Sequence, residues 1–463
     1  MAYYVDSQSG SDAASGQAQD QAWKSLAQAN KAALKPGDSL LFKCGGVWTG
    51  QLNLRASGSE AAPILVSAYG EGASPAFENP DNGNANAVNV GADWIVLSRI
   101  AVRKVFMVGI NVGFGADHTV FKEVEASECG LGMFIAGQYA LVTRSSFHDL
   151  HTMINTPGGK DDNGAVGVVI ANSDIEVSYS AFTKCIGPSY DYVVDGGAVE
   201  IWAERDVKNT FIHHNKVYRC CGFFEIGGLG FAVDGVRVAY NELVDCYGAA
   251  FVLFNNSGDY TIEQSDFRFE NNTVVLHDCA GEKLWTCVAF VVASEPGVFI
   301  MRNNLFFVWN ADRILANVTA PVSDQNLVFH SGTAWFDKNF TAGPGDIIGK
   351  DPLIADKGAC AEIGDPPAGD YRPKAGSPLI DAGMSLGITS DLAGVAIAGN
   401  PDIGAYEYAP SGGALVRSRT GSGTASGGRG YSLYLPGAET NSADFASGSV
   451  NALGRLWIPR IAR

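Results

Sequence analysis

Positive charge is scarce in this 463-residue chain: 32 Lys and Arg stand against 49 Asp and Glu, for a formal net charge of −17 and a pI near 4.8. Nucleic acids and anionic membrane surfaces are themselves negative, so the composition excludes both as partners. The same field repels a strongly anionic glycan unless a cation or a local basic strip intervenes, which favours a neutral or weakly charged ligand. Charged residues of both signs amount to only 17% of the chain, alongside 56 glycines, which describes a turn-rich, extracellular-looking β protein rather than a helical cytosolic enzyme. No stretch reaches the roughly 18 uninterrupted apolar residues that a membrane span needs. The opening MAYYVDSQSGSD lacks the basic-then-apolar pattern of a signal peptide. The expected location, extracellular or cell-surface and periplasmic, therefore requires either a leader already removed or another exit, such as assembly into a phage particle. The nine cysteines are odd in number, so a complete disulfide framework within one chain is impossible. Most sit at core-like positions, and Cys279 and Cys287, which flank the loop AGEKLWT, are the expected bridge if the compartment is oxidising.

What the chain does have is 46% apolar content and an internal repeat. Length alone would argue for about three domains, but a solenoid grows in one dimension and stays one body. The segments SYSAFTKC (178–185), HHNKVYRC (213–220), AYNELVDC (239–246), ENNTVVLH (270–277) and RNNLFFVW (302–309) align on their apolar and asparagine positions. Asn215, Asn241, Asn272 and Asn304 then share one column at steps of 26, 31 and 32 residues, with Ser145 and Ser180 in the same column earlier. Amides stacked at the roughly 4.8 Å strand spacing can bond each other and the backbone of a tight bend, so this column reads as a ladder. A second column, Cys129, Leu150, Cys185, Cys220 and Cys246, mixes thiol with leucine, as a small apolar slot would, and lacks the clustered histidines of a zinc site. The coils run from 21 to 35 residues. Their longer members carry the loops NTPGGKDDNG and GPSYDYVVDGG, where insertions on a regular scaffold place binding residues.

The reading is all-β: a single-stranded parallel β-helix with an N-terminal capping helix. In AWKSLAQANKAALKPGD, Trp23, Leu26, Ala29 and Ala33 stand near helical spacing before a Pro-Gly stop. Residues 1–408 form the β-helix with this cap and an irregular closing segment, 351–408, for the far end. Residues 409–430 are a Gly/Ser-rich linker, and 431–463 are a C-terminal appendage.

YYVDSQSGSD with KPGDSLLFKCGGVWTG, the IHHN and FENN coils, and SPLIDAG with DIGAYEY resemble the right-handed parallel β-helix superfamily of carbohydrate-active enzymes over most of residues 3–408. That superfamily includes pectate and alginate lyases, chondroitinase-like lyases, uronan epimerases, several glycoside hydrolases and phage tailspike depolymerases. The resemblance implies the fold strongly and the reaction only broadly.

In GGAVEIW, period-2 alternation turns Val199 and Ile201 inward and Glu200 and Trp202 outward; in CGFFEIGG it turns Phe224 and Ile226 inward and Glu225 outward. Aligning Cys220 with Cys246 brings Glu200 and Glu225 into one register on neighbouring coils, and two like charges that close keep a proton or hold a cation between them. Asp195 and Asp162 fall over one another in the loops entering these strands. The outer column reads Phe134, Gly167, Glu200, Glu225, Phe251, so rings flank the acids and offer their faces to sugars. His213 and His214 precede the ladder asparagine and read first as structural, and Lys160, Arg205 and Lys208 as surface charges within approach of the cleft.

Three functions follow. A glycoside hydrolase would use Glu200, Glu225 and Asp195 as catalytic carboxyls, with Trp202, Phe134, Phe251, Asp162, Arg205, Tyr192 and His213 binding a polysaccharide or oligosaccharide, and would need no cofactor. A polysaccharide lyase would hold calcium on Asp162, Asp195 and Glu200 to neutralise a uronate while a basic group removes the α-proton. Glu200 followed by Arg205 resembles the acid-then-base spacing of chondroitinase-like and alginate lyases, but Glu225 stands where those families carry an arginine. A non-catalytic glycan-binding or tailspike-like protein is the third. Neither the sugar, its linkage, endo or exo action, nor the oligomeric state is specified by these residues.

Overall fold

Short strands rich in β-branched and aromatic residues recur along the chain and pair in parallel with the strand one coil later. The structure is a computed structural model that describes residues 1–80, 86–159, 161–228, 231–247, 251–253, 256–257, 260–277, 287–291, 298–309, 313–316, 322–330, 342–360 and 368–410. Lys160, Cys279, and the expected linker from residue 411 with the appendage after it lie outside the described residues. Two compact units are taken in turn: Met1–Ser180 with Lys184–Asn209, and Ala181–Thr183 with the described residues from Thr210 onward. Among the described residues no helix is long and apolar enough to cross a membrane.

In the first unit the strands form three stacks. One runs Ala2–Val5, Ser39–Lys43, Ile64–Tyr69, Ile95–Ser98, Val120–Lys122, Ala140–Thr143 and Ile175–Ser178, every neighbour parallel. The long strands Ala101–Val112 and Glu125–Ile135 pass through the other two stacks. Their first halves pair with Ala76–Asn79 and Ser146–His148, and their second halves with Val88–Val90 and Val166–Ile170. Gly197–Ala203 adds to Val166–Ile170. Residues of one face, such as Val66, Leu97, Phe121, Val142 and Val177, are buried in register. The second unit repeats the three-stack plan. Ala232–Ala239, Glu263–Glu270, Phe299–Arg302 and Val322–Asp324 make one stack, and Lys216–Tyr218, Glu242–Val244, Thr273–Leu276, Leu305–Val308 and Leu327–His330 another. The third is Phe224–Gly228, Phe251–Leu253, Cys287–Val291 and Arg313–Ala316.

The corners between stacks are single left-handed residues. Trp94, Arg99 and Lys104 have φ of 56°, 55° and 53°, and the triplets His118, Glu123, Glu128; Tyr139, Arg144, Asp149; Asp174, Tyr179, Lys184; and Asn209, His214, Arg219 repeat this pattern at five-residue steps. L-residues pay roughly 1–2 kcal/mol for this conformation, so each corner must be held. The expected ladder holds one of them. Asn215, Asn241, Asn272 and Asn304 are fully buried, and each donates from Nδ2 to the Oδ1 of the next at 3.0, 2.9, 3.1 and 2.8 Å, the last donation reaching Asn326. The side-chain amides of Asn241, Asn272, Asn304 and Asn326 also accept the backbone N–H of the asparagine before them. In the first unit Ser180 Oγ accepts the Ser145 backbone N–H at 3.1 Å. The cysteine column is buried as expected.

Two expectations at the ends change. The N-terminal helix is one turn, Leu26–Ala29, capped by Ser25 Oγ at 3.2 Å from the Gln28 N–H. Trp23 instead makes an extended bridge with Val5, and Ala33 is exposed, because Pro36-Gly37 follows before a second turn can form. The segment 351–408 covers the outer side of a sheet rather than only closing an end. Tyr371, Leu379, Leu392, Ile403, Ala405 and Tyr406 pack on Tyr218, Val244, Val275, Leu305, Phe307 and Leu327. That sheet is thereby buried on both sides, and Glu242 within it is satisfied by the hydroxyls of Tyr218 at 2.6 Å and Tyr406 at 2.5 Å. Among the cysteines, Cys360 is disulfide-bonded, whereas Cys44, Cys129, Cys185, Cys220, Cys221 and Cys246 are free. The sequence reading had assigned no bridge to Cys360.

Two predictions follow from these interactions. Asn272→Ala leaves the buried Asn241 backbone N–H without its acceptor and removes one of the acceptors of Asn241 Nδ2, and is expected to cost about 1–3 kcal/mol, read as a lower midpoint in urea. His148 Nδ1 lies 2.8 Å from Asp149 Oδ2 and its Nε2 3.3 Å from Glu125 Oε1. Burial works against its charged form, but these two carboxylates push its pKa up to about 9. A raised folded pKa stabilises the fold fully below the unfolded value of about 6.5 and loses that contribution as pH climbs through about 9. Thermal midpoints measured from pH 6 to 10 are expected to fall less steeply in His148→Gln than in the parent.

Candidate functional site

Glu200 is the central residue of an otherwise apolar strand. Val199 and Ile201 beside it are 1% and 0% exposed, whereas Glu200 is half-buried and Trp202 is 44% exposed. The expected alternation is therefore present, and the carboxylate is directed out of the core. The pairing Val169↔Glu200, with Phe134↔Val169 and Asn111↔Phe134, fixes the outer column. Val169, not Gly167, is the residue between Phe134 and Glu200, because two residues of offset separate a sequence alignment made on loop ends from one made on paired strands. Phe134 is half-buried on the same column.

In the second unit Glu225 is likewise half-buried, between Phe224 and Ile226 at 2% and 1% exposure. Its partner one coil later is Val252, while Phe251 pairs with Phe224, whose side chain is buried. Phe251 is thus out of register with Glu225, contrary to the expected column, and its side chain lies outside the described residues.

Asp162 and Asp195 belong to two antiparallel hairpins of the first unit. One pairs Thr152–Ile154 with Asn163–Gly164, the other Gly187–Ser189 with Val193–Asp195. Asp162 is buried and fully engaged. Its Oδ1 accepts the Thr156 N–H at 2.7 Å, and its Oδ2 accepts the Ser189 hydroxyl at 2.7 Å and the Asp191 N–H at 3.0 Å. Burial alone would raise its pKa, but these bonds and one from the Tyr190 backbone hold it below the usual carboxylate range. Its role is to tie the two hairpins together. The Asp161, Asp162 and Asp191 carboxylates come within 4.8 Å of one another, a grouping different from the expected Asp162, Asp195 and Glu200.

Asp195 accepts the Gly196 N–H at 2.8 Å. Burial, reinforced by the negative charge of Asp162, pushes its pKa up to about 6. A carboxyl held protonated into weakly acidic solution is an acid that can donate, in the sense used by general acid catalysis. Between the hairpin strands Val193 has φ +74° and is 71% exposed. A β-branched residue in the left-handed region costs of order 1–3 kcal/mol and marks sites where geometry is imposed for a purpose.

Of the remaining expected residues, Tyr192 is 46% exposed on this hairpin. Arg205 stacks its guanidinium 3.9 Å above the ring of Phe114, itself 58% exposed. His213 leaves the site. It is buried, stacked on Phe211 with centroids 4.0 Å apart, and its Nδ1 meets His214 Nδ1 at 2.7 Å. The sequence reading passed over Phe114 and an outward amide column, Asn53, Asn89 and Asn111, that shares its register with Phe134 and Glu200. Asn89 donates to Asn53 at 3.2 Å, and the signal was the AVNV and INV alternation, readable only once the coil register is known.

Parallel strands stacked coil upon coil define the class: a right-handed parallel β-helix. Among solved structures, the chain is similar to the GH136 lacto-N-biosidase of Eubacterium ramulus, with TM-score 0.50 and 13% identity over 75% of this chain and 67% of that one. It is also similar to pectate lyase Pel9A, with TM-score 0.52 and 16% identity over 88% of this chain and 96% of that one. A third is XylC in complex with xylose, with TM-score 0.50 and 11% identity over 88% and 98%. At these identities the likeness is one of fold. A 73-residue stretch, 15% of the chain, is 42% identical to the lacto-N-biosidase of Bifidobacterium longum subsp. longum, and it spans only 5% of that protein's length. No protein-family profile matches the sequence.

The electrostatics of the hairpin pair can be measured directly. The Asp195 carboxyl is expected to titrate with a midpoint near about 6 by carbon-detected NMR, and Asp162→Asn is expected to move that midpoint down by removing the neighbouring charge.

Proposed function

We propose that the protein is a carbohydrate-active enzyme that cleaves a polysaccharide or oligosaccharide, and specifically a glycoside hydrolase. The observation that carries this reading is that one unit holds an Asp195 whose pKa is pushed up to about 6, together with Glu200, half-buried mid-strand beside the exposed Trp202. Glycoside hydrolysis needs one carboxyl that arrives protonated and one that arrives ionised, and distinct environments are how a protein separates the two. In this reading Asp195 protonates the leaving oxygen. Glu200 activates water or attacks the anomeric carbon. Trp202 and Phe134 receive the apolar faces of sugar rings. The lacto-N-biosidase likenesses, in fold and in the short 42% identical stretch, support hydrolysis of a glycan. The disulfide at Cys360 supports an oxidising, extracytoplasmic compartment. No metal takes part in these steps.

The deciding experiment is a panel of neutral and uronic polysaccharides scored by reducing ends and by ultraviolet absorbance, with and without calcium. Hydrolysis releases reducing ends without unsaturated product and survives chelator. Ultraviolet-absorbing product that disappears with chelator would replace this reading by calcium-dependent elimination. Glu200→Gln and Asp195→Asn are each expected to lower kcat by about 10²–10⁴ while retaining substrate binding, whereas a pure binder would show no turnover to lose. With Asp195 as the acid, activity is expected to decline on the alkaline side with a midpoint near pH 6, since the donor is lost above its pKa of about 6.

A further inference from the structure

The hairpin that ends in Asp195 spends its hydrogen bonds on rigidity and its side chains on solvent. Its turn, residues 190–192, joins Ser189 to Val193, and the backbone there is tied down at several points. Asp162 takes the Ser189 hydroxyl and the Asp191 N–H, and Ser189 Oγ takes the N–H groups of Asp191 at 3.1 Å and Tyr192 at 2.9 Å. Asn155 Oδ1 of the other hairpin takes the Tyr190 N–H at 3.0 Å, and Thr152 Oγ1 donates to the Pro188 carbonyl at 2.8 Å. Yet Tyr190 is 68% exposed, and Ile154, Tyr192 and Val193 around it are also exposed. No aromatic ring among the described residues packs on Tyr190. Val193, the first residue of the returning strand, is left-handed although β-branched. A fixed backbone presenting an unshielded ring costs little conformational entropy when a ligand covers it, which is the design of a binding surface.

We propose that the turn 190–192 is a sugar-binding sub-site in which the Tyr190 ring receives the apolar face of a pyranose, with Asp162 as the positioning residue that holds the turn. The sub-site lies in the turn of the same hairpin whose far end carries the candidate catalytic group Asp195. A sugar stacked on Tyr190 is therefore held at a set distance from the carboxyl that acts on its neighbour. Tyr190 recognises the ring face and not a charge, so the sub-site takes neutral and uronic sugars alike. This inference rests on the carbohydrate-active reading above.

The test is binding rather than turnover. The full chain carrying Glu200→Gln is titrated calorimetrically with xylohexaose, cellohexaose, tetragalacturonate and lacto-N-tetraose. At least one is expected to bind, Tyr190→Ala to weaken that binding about fivefold or more, the effect of an aromatic contact of about 1 kcal/mol, and Tyr190→Phe to stay within about twofold of the parent because it keeps the ring. Tyr190→Ala binding every probe as the parent does, or no probe binding at all, overturns the sub-site. The functional reading fails separately, if Glu200→Gln in an otherwise unchanged chain retains wild-type turnover.

Discussion

Everything in this molecule depends on parallel pairing of each strand with the strand one coil later. That pairing makes a column of every position, so a side chain has the same kind of residue above and below it. Chemistry that is harmless once becomes decisive when repeated: a stacked amide satisfies its neighbour, a stacked phenylalanine fills its neighbour's cavity, and a stacked carboxylate repels. The corners are the cost of the arrangement. Each coil turns at single left-handed residues, several of them bulky, such as Trp94, Tyr139 and Tyr240. The rings of Trp94, His118 and Tyr139 stack at 4.0 and 4.7 Å along one corner, and the asparagine ladder secures the next.

The same rule explains where the site can be. Only insertions between strands escape the column constraint, and the two hairpins carrying Asp162 and Asp195 are such insertions. Their conformation is set by a buried carboxylate rather than by the ladder, which frees their tips to carry exposed aromatics. Along the strands themselves, a glutamate among apolar residues is tolerated only on the outward half of the alternation, which is where Glu200 and Glu225 lie. The second unit shows how strongly outward positions can be recruited for stability. There the segment 351–408 converts one outward face into core, and Glu242 survives inside it only because two tyrosine hydroxyls reach it.

Much of the fold was legible because repetition writes itself into sequence. The asparagine and cysteine columns, the alternation around Glu200 and Glu225, and the β-helix class could all be read from periodicity and from the terminal motifs. The site was legible in part. Strand alternation alone turns Glu200 and Trp202 outward, whereas Gly167 and Phe251 follow loops of unequal length, and the paired strands put Val169 and Val252 in register with the glutamates instead. A loop absorbs any offset, so sequence alignment drifts there, and a one-residue drift moves a side chain from one face of a strand to the other.

The sequence by itself determined the repeat, the inward and outward halves of each strand and the acidic, weakly charged surface, because these depend on neighbours at fixed spacing along the chain. Only the tertiary structure decided that Asp162 is a structural tie, that His213 is buried beside His214, that Arg205 rests on Phe114, and that the closing segment covers a sheet. Each of these rests on contacts between residues far apart in the chain, whose distances are set by how loops fold back and not by any spacing in the sequence.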